Sequence, residues 1–184
     1  MTPLGKHFFA KKGRRSLRSL LKFLTHVCAK VLVLPLLCSY TLSSLLVGKD
    51  RALEGATHLL ACAPGLPGQY LRRGFLSFTL AHCDKNACIE FGTIFSQTGA
   101  RIDENAYIGP RCHLGLCHLE KDVLLAAGVH VPSGPNLHGI ADPNIPIREQ
   151  PGVCTLVRIG QGSWIGSAAV VMADVGRNTV VGAG

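Results

Sequence analysis

From about Ile89 onward, aliphatic residues recur at every sixth position. The anchors are Ile102, Ile108, Leu114, Leu119, Leu125, Val131, Ile159, Ile165, Val171, Val175 and Val181. Seven of the intervals are six residues long. Leu114 to Leu119 is five, Val171 to Val175 is four, and a long insertion separates Val131 from Ile159. The residue two before each anchor is small or β-branched: Ala100, Ala106, Cys112, Cys117, Val123, Val129, Val157, Ser163, Ala169, Ala173 and Thr179. A period of six fits neither a helix nor an ordinary strand, whose periods are about 3.6 and 2. It fits a short strand followed by a tight corner, repeated, with three such units to a coil. The anchors then stack inside a narrow prism, and the small residues fill the space left beside them. The pattern predicts a parallel β-helix over residues 89–184.

Upstream the texture differs. Val31 to Gly48 carries no charge and is rich in Leu and Val, but Pro35, Ser39, Thr41, Ser43 and Ser44 interrupt it. As a helix it would be about 27 Å long, at the short limit for crossing a bilayer. Residues 1–30 hold Lys6, Lys11, Lys12, Arg14, Arg15, Arg18, Lys22 and Lys30 and no acid. Basic residues for anionic head groups beside an apolar stretch read as a membrane-associating segment over residues 1–48. A soluble helix packed on its own domain and a cleaved targeting segment are the alternatives. Residues 49–88 read as a helical connecting region. One helix is expected over Arg51–Cys62, ended by Pro64-Gly65, and a second over Gln69–Cys83 with Leu71, Phe75 and Phe78 on one face. Gly74 interrupts that second pattern.

Composition narrows the function. Of 184 residues, 47% are hydrophobic and 16% charged, which excludes a disordered chain or a charged coiled coil. The formal charge of +8 belongs wholly to the first 30 residues; the rest holds 11 basic and 11 acidic residues. A basic nucleic-acid groove on the folded domain is therefore not expected. Of eight cysteines, Cys112 and Cys117 fall in interior slots of the repeat. They read as reduced thiols in a cytosolic compartment. A spanning segment with its basic tail inside would put residues 89–184 on the side away from the cytosol. An interfacial or re-entrant anchor on the cytoplasmic face is expected instead.

The repeats Ile102-Asp-Glu-Asn-Ala-Tyr, Ile108-Gly-Pro-Arg-Cys-His, Ile159-Gly-Gln-Gly-Ser-Trp and Ile165-Gly-Ser-Ala-Ala-Val, with the closing Val180-Val181-Gly182-Ala183-Gly184, carry a resemblance. They resemble the hexapeptide-repeat acyltransferases. That implies a mainly β fold, a left-handed parallel β-helix, preceded here by the N-terminal helical, membrane-associating region. It also implies acetyl-CoA as acyl donor, no metal, a homotrimer, and a small-molecule or glycan acceptor, plausibly a sugar or lipid-linked precursor. Within the inserted loop 132–158, Ser133-Gly134-Pro135-Asn136-Leu137-His138 and the later Pro-Ile-Arg-Glu-Gln resemble the acetyltransferases' active-site loop. His138 then aligns with their catalytic histidine. A neutral imidazole has the basicity to take an acceptor's proton near neutral pH. Asp142 is a candidate to orient it; related loops read His-Gly-Phe-Asp-Asp where this one reads His138-Gly139-Ile140-Ala141-Asp142. Trp164 and Ser167 are candidates to contact the pantetheine arm.

Two other readings stand beside this one. His113 and His118 resemble the paired metal histidines of gamma-class carbonic anhydrases, which share the fold. A non-catalytic scaffold would also use the prism. The chain stops at Gly184 inside a repeat, so further sequence or another subunit is expected over that end.

Overall fold

A computed structural model describes residues 20–184; Lys6, Lys11, Lys12, Arg14, Arg15 and Arg18 of the basic tail lie outside the described residues. The chain runs through helices α1 (described over Leu20–Leu32), α2 (Leu34–Val47), α3 (Lys49–Ala61) and α4 (Gly65–Thr79). It then winds into a three-sided parallel solenoid. The first coil is β1 (His82–Cys83), β2 (Cys88–Ile89) and β3 (Ile94–Phe95). The second is β4 (Arg101–Ile102), β5 (Tyr107–Ile108) and β6 (His113–Leu114), and the third is β7 (Cys117–Leu119), β8 (Leu124–Leu125) and β9 (His130–Val131). After the loop come β10 (Val157–Ile159), β11 (Trp164–Ile165) and, in a partial last coil, β12 (Val180–Val181). Three parallel sheets form the faces: β1-β4-β7-β10, β2-β5-β8-β11-β12 and β3-β6-β9.

The register stacks like on like. Ile89, Ile108, Leu125, Ile165 and Val181 follow one another up the second sheet, and Phe95, Leu114 and Val131 up the third. The anchors from Ile102 to Ile165 are fully buried, and Ala100, Ala106, Cys112, Cys117, Val123, Val129, Val157, Ser163 and Ala169 fill the slots beside them. Ala173 departs from the expected pattern and is exposed. The four-residue step from Val171 to Val175 removes two residues from that side, so Val175 joins Ile159 by only an isolated bridge.

The helices differ from expectation in two places. The second helix ends at Thr79, not Cys83. Leu80 turns extended, and His82 and Cys83 pair with Arg101 and Ile102 as the first strand. Its buried face is Arg72, Phe75, Leu76 and Thr79, whereas Phe78 is 54% exposed. Gly74 is the contact point with α1: a Cβ there would sit about 3.4 to 3.5 Å from the Ala29 carbonyl and the Lys30 nitrogen.

Helices α3 and α4 cover the open end of the first coil, where strand edges would otherwise be unpaired. Thr57 Oγ1 donates to the Phe95 carbonyl at 3.1 Å and accepts from its N–H at 3.2 Å. Asp50 Oδ1 accepts from the N–H and hydroxyl of Thr98 at 2.8 and 2.7 Å. Leu53, Leu60, Phe75 and Leu76 thereby join the prism anchors in one continuous core.

Among the described residues, no single helix is long and apolar enough to cross a membrane. The stretch expected to be one segment breaks at Val33, and α1 and α2 meet at 43°; as a bent pair they have the length and composition to do so.

Candidate active-site loop

The loop leaves the third sheet after Val131 and re-enters the first at Val157, so it projects from one corner of the prism. It is pinned at its base and across its middle. Ser133 Oγ accepts from the Leu116 N–H at 2.8 Å, and the Ser133 carbonyl accepts from the Thr155 N–H at 2.8 Å. Val153 N–H donates to the Asn136 carbonyl at 2.7 Å. Gly134 has a φ of +87°, and a Cβ there would collide with Thr155 Oγ1, so this base tolerates only glycine.

Gln150 is the loop's internal strut. It is buried, its Nε2 donates to the carbonyls of Asp142 and Ile145 at 2.7 and 2.9 Å, and its Oε1 accepts from the Asp142 N–H at 3.1 Å. The short 3₁₀ turn Ile147–Glu149 leads into it. The sequence does not single out Gln150, because a buried glutamine in a polar loop has no periodic signature.

His138 follows the Asn136–Val153 bond and is exposed. Asp142 is half-buried, and its Oδ1 accepts from the Asn144 N–H at 2.8 Å, closing a turn of its own. No hydrogen bond joins Asp142 to His138 within the chain. Trp164 lies on the second sheet between Leu124 and Val180 and is 50% exposed. Ser167 sits at the next corner, exposed, with its carbonyl taken by the Gly184 N–H at 3.0 Å. The chain therefore joins these four residues by no hydrogen bond. The loop holds His138 and Asp142, and the next coil holds Trp164 and Ser167.

The histidines suggested for a metal do not converge in one chain. His113 belongs to the third sheet and His118 to the first. His118 Nε2 lies 2.8 Å from Asp103 Oδ2, with His82 Nε2 at 3.9 Å from the other oxygen. His113 stacks on His130, ring centroids 4.8 Å apart. Burial first, then the neighbouring His130, lowers the pKa of His113. Among the described residues no group of three His, Cys, Asp or Glu is arranged to hold a metal ion.

All eight cysteines are free. Burial pushes the thiols of Cys112 and Cys117 up to about 11 and about 12, so both remain protonated core residues.

No family model matches this chain, and no curated protein does. Solved structures similar to it in part include two acyltransferases. One is a mutant of AntD, an N-acyltransferase from Bacillus cereus, in complex with dTDP and coenzyme A. It is 15% identical over 61% of this chain and 76% of that one, with a TM-score of 0.36. The other is the serine acetyltransferase of Neisseria gonorrhoeae in complex with serine. It is 16% identical over 72% of this chain and 52% of that one, with a TM-score of 0.23. The chain thus spans about half the length of the second protein.

Proposed function

We propose that the chain is an acyltransferase that moves an acetyl group from acetyl-CoA to a hydroxyl of a sugar or glycan precursor, with His138 as general base. The observation that carries this is the exposed His138 on the one long pinned loop that interrupts the solenoid. A neutral imidazole nitrogen takes the hydroxyl proton as the oxygen attacks the thioester carbonyl. Collapse of the tetrahedral intermediate breaks the C–S bond, and the imidazolium returns the proton to the leaving thiolate. Trp164 and Ser167, one coil on, lie along the prism as contacts for the pantetheine arm.

The outer row of the second sheet, Tyr107, Leu124, Trp164 and Val180, is apolar and exposed, which supports packing of prisms as a homotrimer. Leu45 and Leu46 of α2 are 78% and 82% exposed, which supports a peripheral seat on a membrane through residues 1–48; the cytoplasmic face belongs to the proposal because acyl-CoA is its donor.

The test is transfer of isotope-labelled acetyl from acetyl-CoA to a panel of glycans and membrane extracts, read by mass. His138→Ala should lower the rate by about 10²- to 10⁴-fold. Equal rates in both proteins would remove His138 from the chemistry. Absence of both transfer and acetyl-CoA binding in the natural chain would overturn the acyltransferase reading.

A further inference from the structure

Helices α1 and α4 and the first coil line a half-open cavity of about 610 Å³, away from the loop. Its walls carry Lys22, Lys30, Arg73 and Lys85, together with His26, and no acid. These come from three separate stretches of chain, so their convergence is a product of the fold. Asp84, beside Lys85, does not line the cavity; its Oδ1 accepts from the Asn86 N–H at 2.7 Å. Residues 1–19 contain no Asp or Glu, so the tail brings no counter-charge either.

Arg73 is held in place at the cavity wall. Its Nη1 donates to the Ala87 carbonyl at 2.8 Å, and its guanidinium lies 4.8 Å from the Tyr70 ring. Its Nε is buried without a hydrogen-bond partner, a donor left over in a cluster of cations. The same wall includes Phe23 and Val27, which are also exposed on the outer surface of α1. Cationic and apolar groups thus share one opening. The pKa of His26 is lowered first by burial and then by Arg73, Lys30, Lys85 and Lys22, which agrees with four uncompensated cations facing one point.

We infer that this cavity binds the phosphate headgroup of an anionic membrane lipid, with Lys22, Lys30, Arg73 and Lys85 neutralising the phosphate and Phe23 and Val27 meeting the first part of the acyl chains. The inference rests on the reading that residues 1–48 meet a membrane surface, and it is independent of the acyl-transfer chemistry.

The experiment uses the full chain and sedimentation with three kinds of vesicle: phosphatidylcholine alone, and phosphatidylcholine with either phosphatidic acid or phosphatidylserine at equal mole fraction. Lys30→Gln/Lys85→Gln removes two of the four cavity cations at exposed positions, and the thermal midpoint of the variant checks that loss of the Lys30 contact over the Phe78 ring, at 5.2 Å, leaves the fold intact. Lys11→Gln/Lys12→Gln neutralises the same charge in the tail. The natural chain should prefer phosphatidic acid, whose phosphate is unencumbered. The cavity variant should lose affinity for it on the order of thirtyfold and lose the preference. The tail variant should weaken both anionic vesicles alike and keep the preference. Equal binding of phosphatidic acid by the cavity variant and the natural chain would overturn the site while leaving the membrane reading intact. Failure of the natural chain to bind any vesicle would overturn both. Inorganic phosphate is the remaining arm. If it shields Lys30 and Lys85 from acylating reagent while vesicles do not, the occupant is a soluble anion, and the lipid assignment fails.

Discussion

Arg73 Nη2 lies 3.2 Å from His26 Nε2, tying α4 to α1 across 47 residues of sequence. The arginine can only donate, so this nitrogen of His26 accepts and the ring is neutral. The pKa of His26 is accordingly lowered from 6.5, by burial first and then by Arg73. Below 6.5 the unfolded chain binds a proton that the folded chain resists, so stability is full above that value and falls as pH drops through it. His113 is shifted in the same direction and adds to the effect. The thermal midpoint should therefore fall between about pH 7 and 5, and His26→Gln/His113→Gln should flatten that slope.

Arg72 is 2% exposed with no carboxylate bonded to it. Its Nε donates to the Ile89 carbonyl at 2.9 Å, and its Nη1 to those of Leu60 and Ala63 at 3.0 and 2.7 Å. Two of these are carbonyls at the C-terminal end of α3, where a cation is favoured. The side chain bolts α3 and α4 to the first coil. Arg72→Ala should cost about 3 kcal/mol or more in urea unfolding, and Arg72→Lys should recover little, because one ammonium cannot span three carbonyls.

Thiol chemistry should divide the cysteines. Cys28, Cys38, Cys62 and Cys154 are exposed, whereas Cys112 and Cys117 are buried and Cys83 is pushed up to about 12 by burial. Pulse alkylation read by mass should modify the first four quickly, Cys83 slowly, and Cys112 and Cys117 only on unfolding. Anionic vesicles should slow Cys28 and Cys38 and leave Cys154 unchanged.

Gln150 supports the loop without reaching His138 through any hydrogen bond. Gln150→Ala removes three bonds and leaves the Asp142 N–H and two carbonyls to find water. Transfer of labelled acetyl should drop. Gln150→Glu should fare no better, because its second carboxylate oxygen would stand where Nε2 donates to the carbonyls of Asp142 and Ile145, acceptor against acceptor. An unchanged rate in Gln150→Ala would show that the loop needs no strut.

The recurrence of one interior residue in six is a local requirement of a coil. That is why Ile102 to Ile165, with their small neighbours, are legible in the amino-acid sequence by itself. The loop is legible for the complementary reason, as the place where the period lapses. The first coil is legible only from Ile89; its first strand is not, because Cys83 stands at the anchor position and the step from Phe95 to Ile102 is seven residues, which masks the period. Nothing local says that Arg72 turns inward while Phe78 faces out; that depends on which side of α4 meets the open prism end. The cavity of Lys22, Lys30, Arg73 and Lys85 is likewise a product of docking alone, since its residues stand far apart in sequence and converge only when α1, α4 and the first coil pack together.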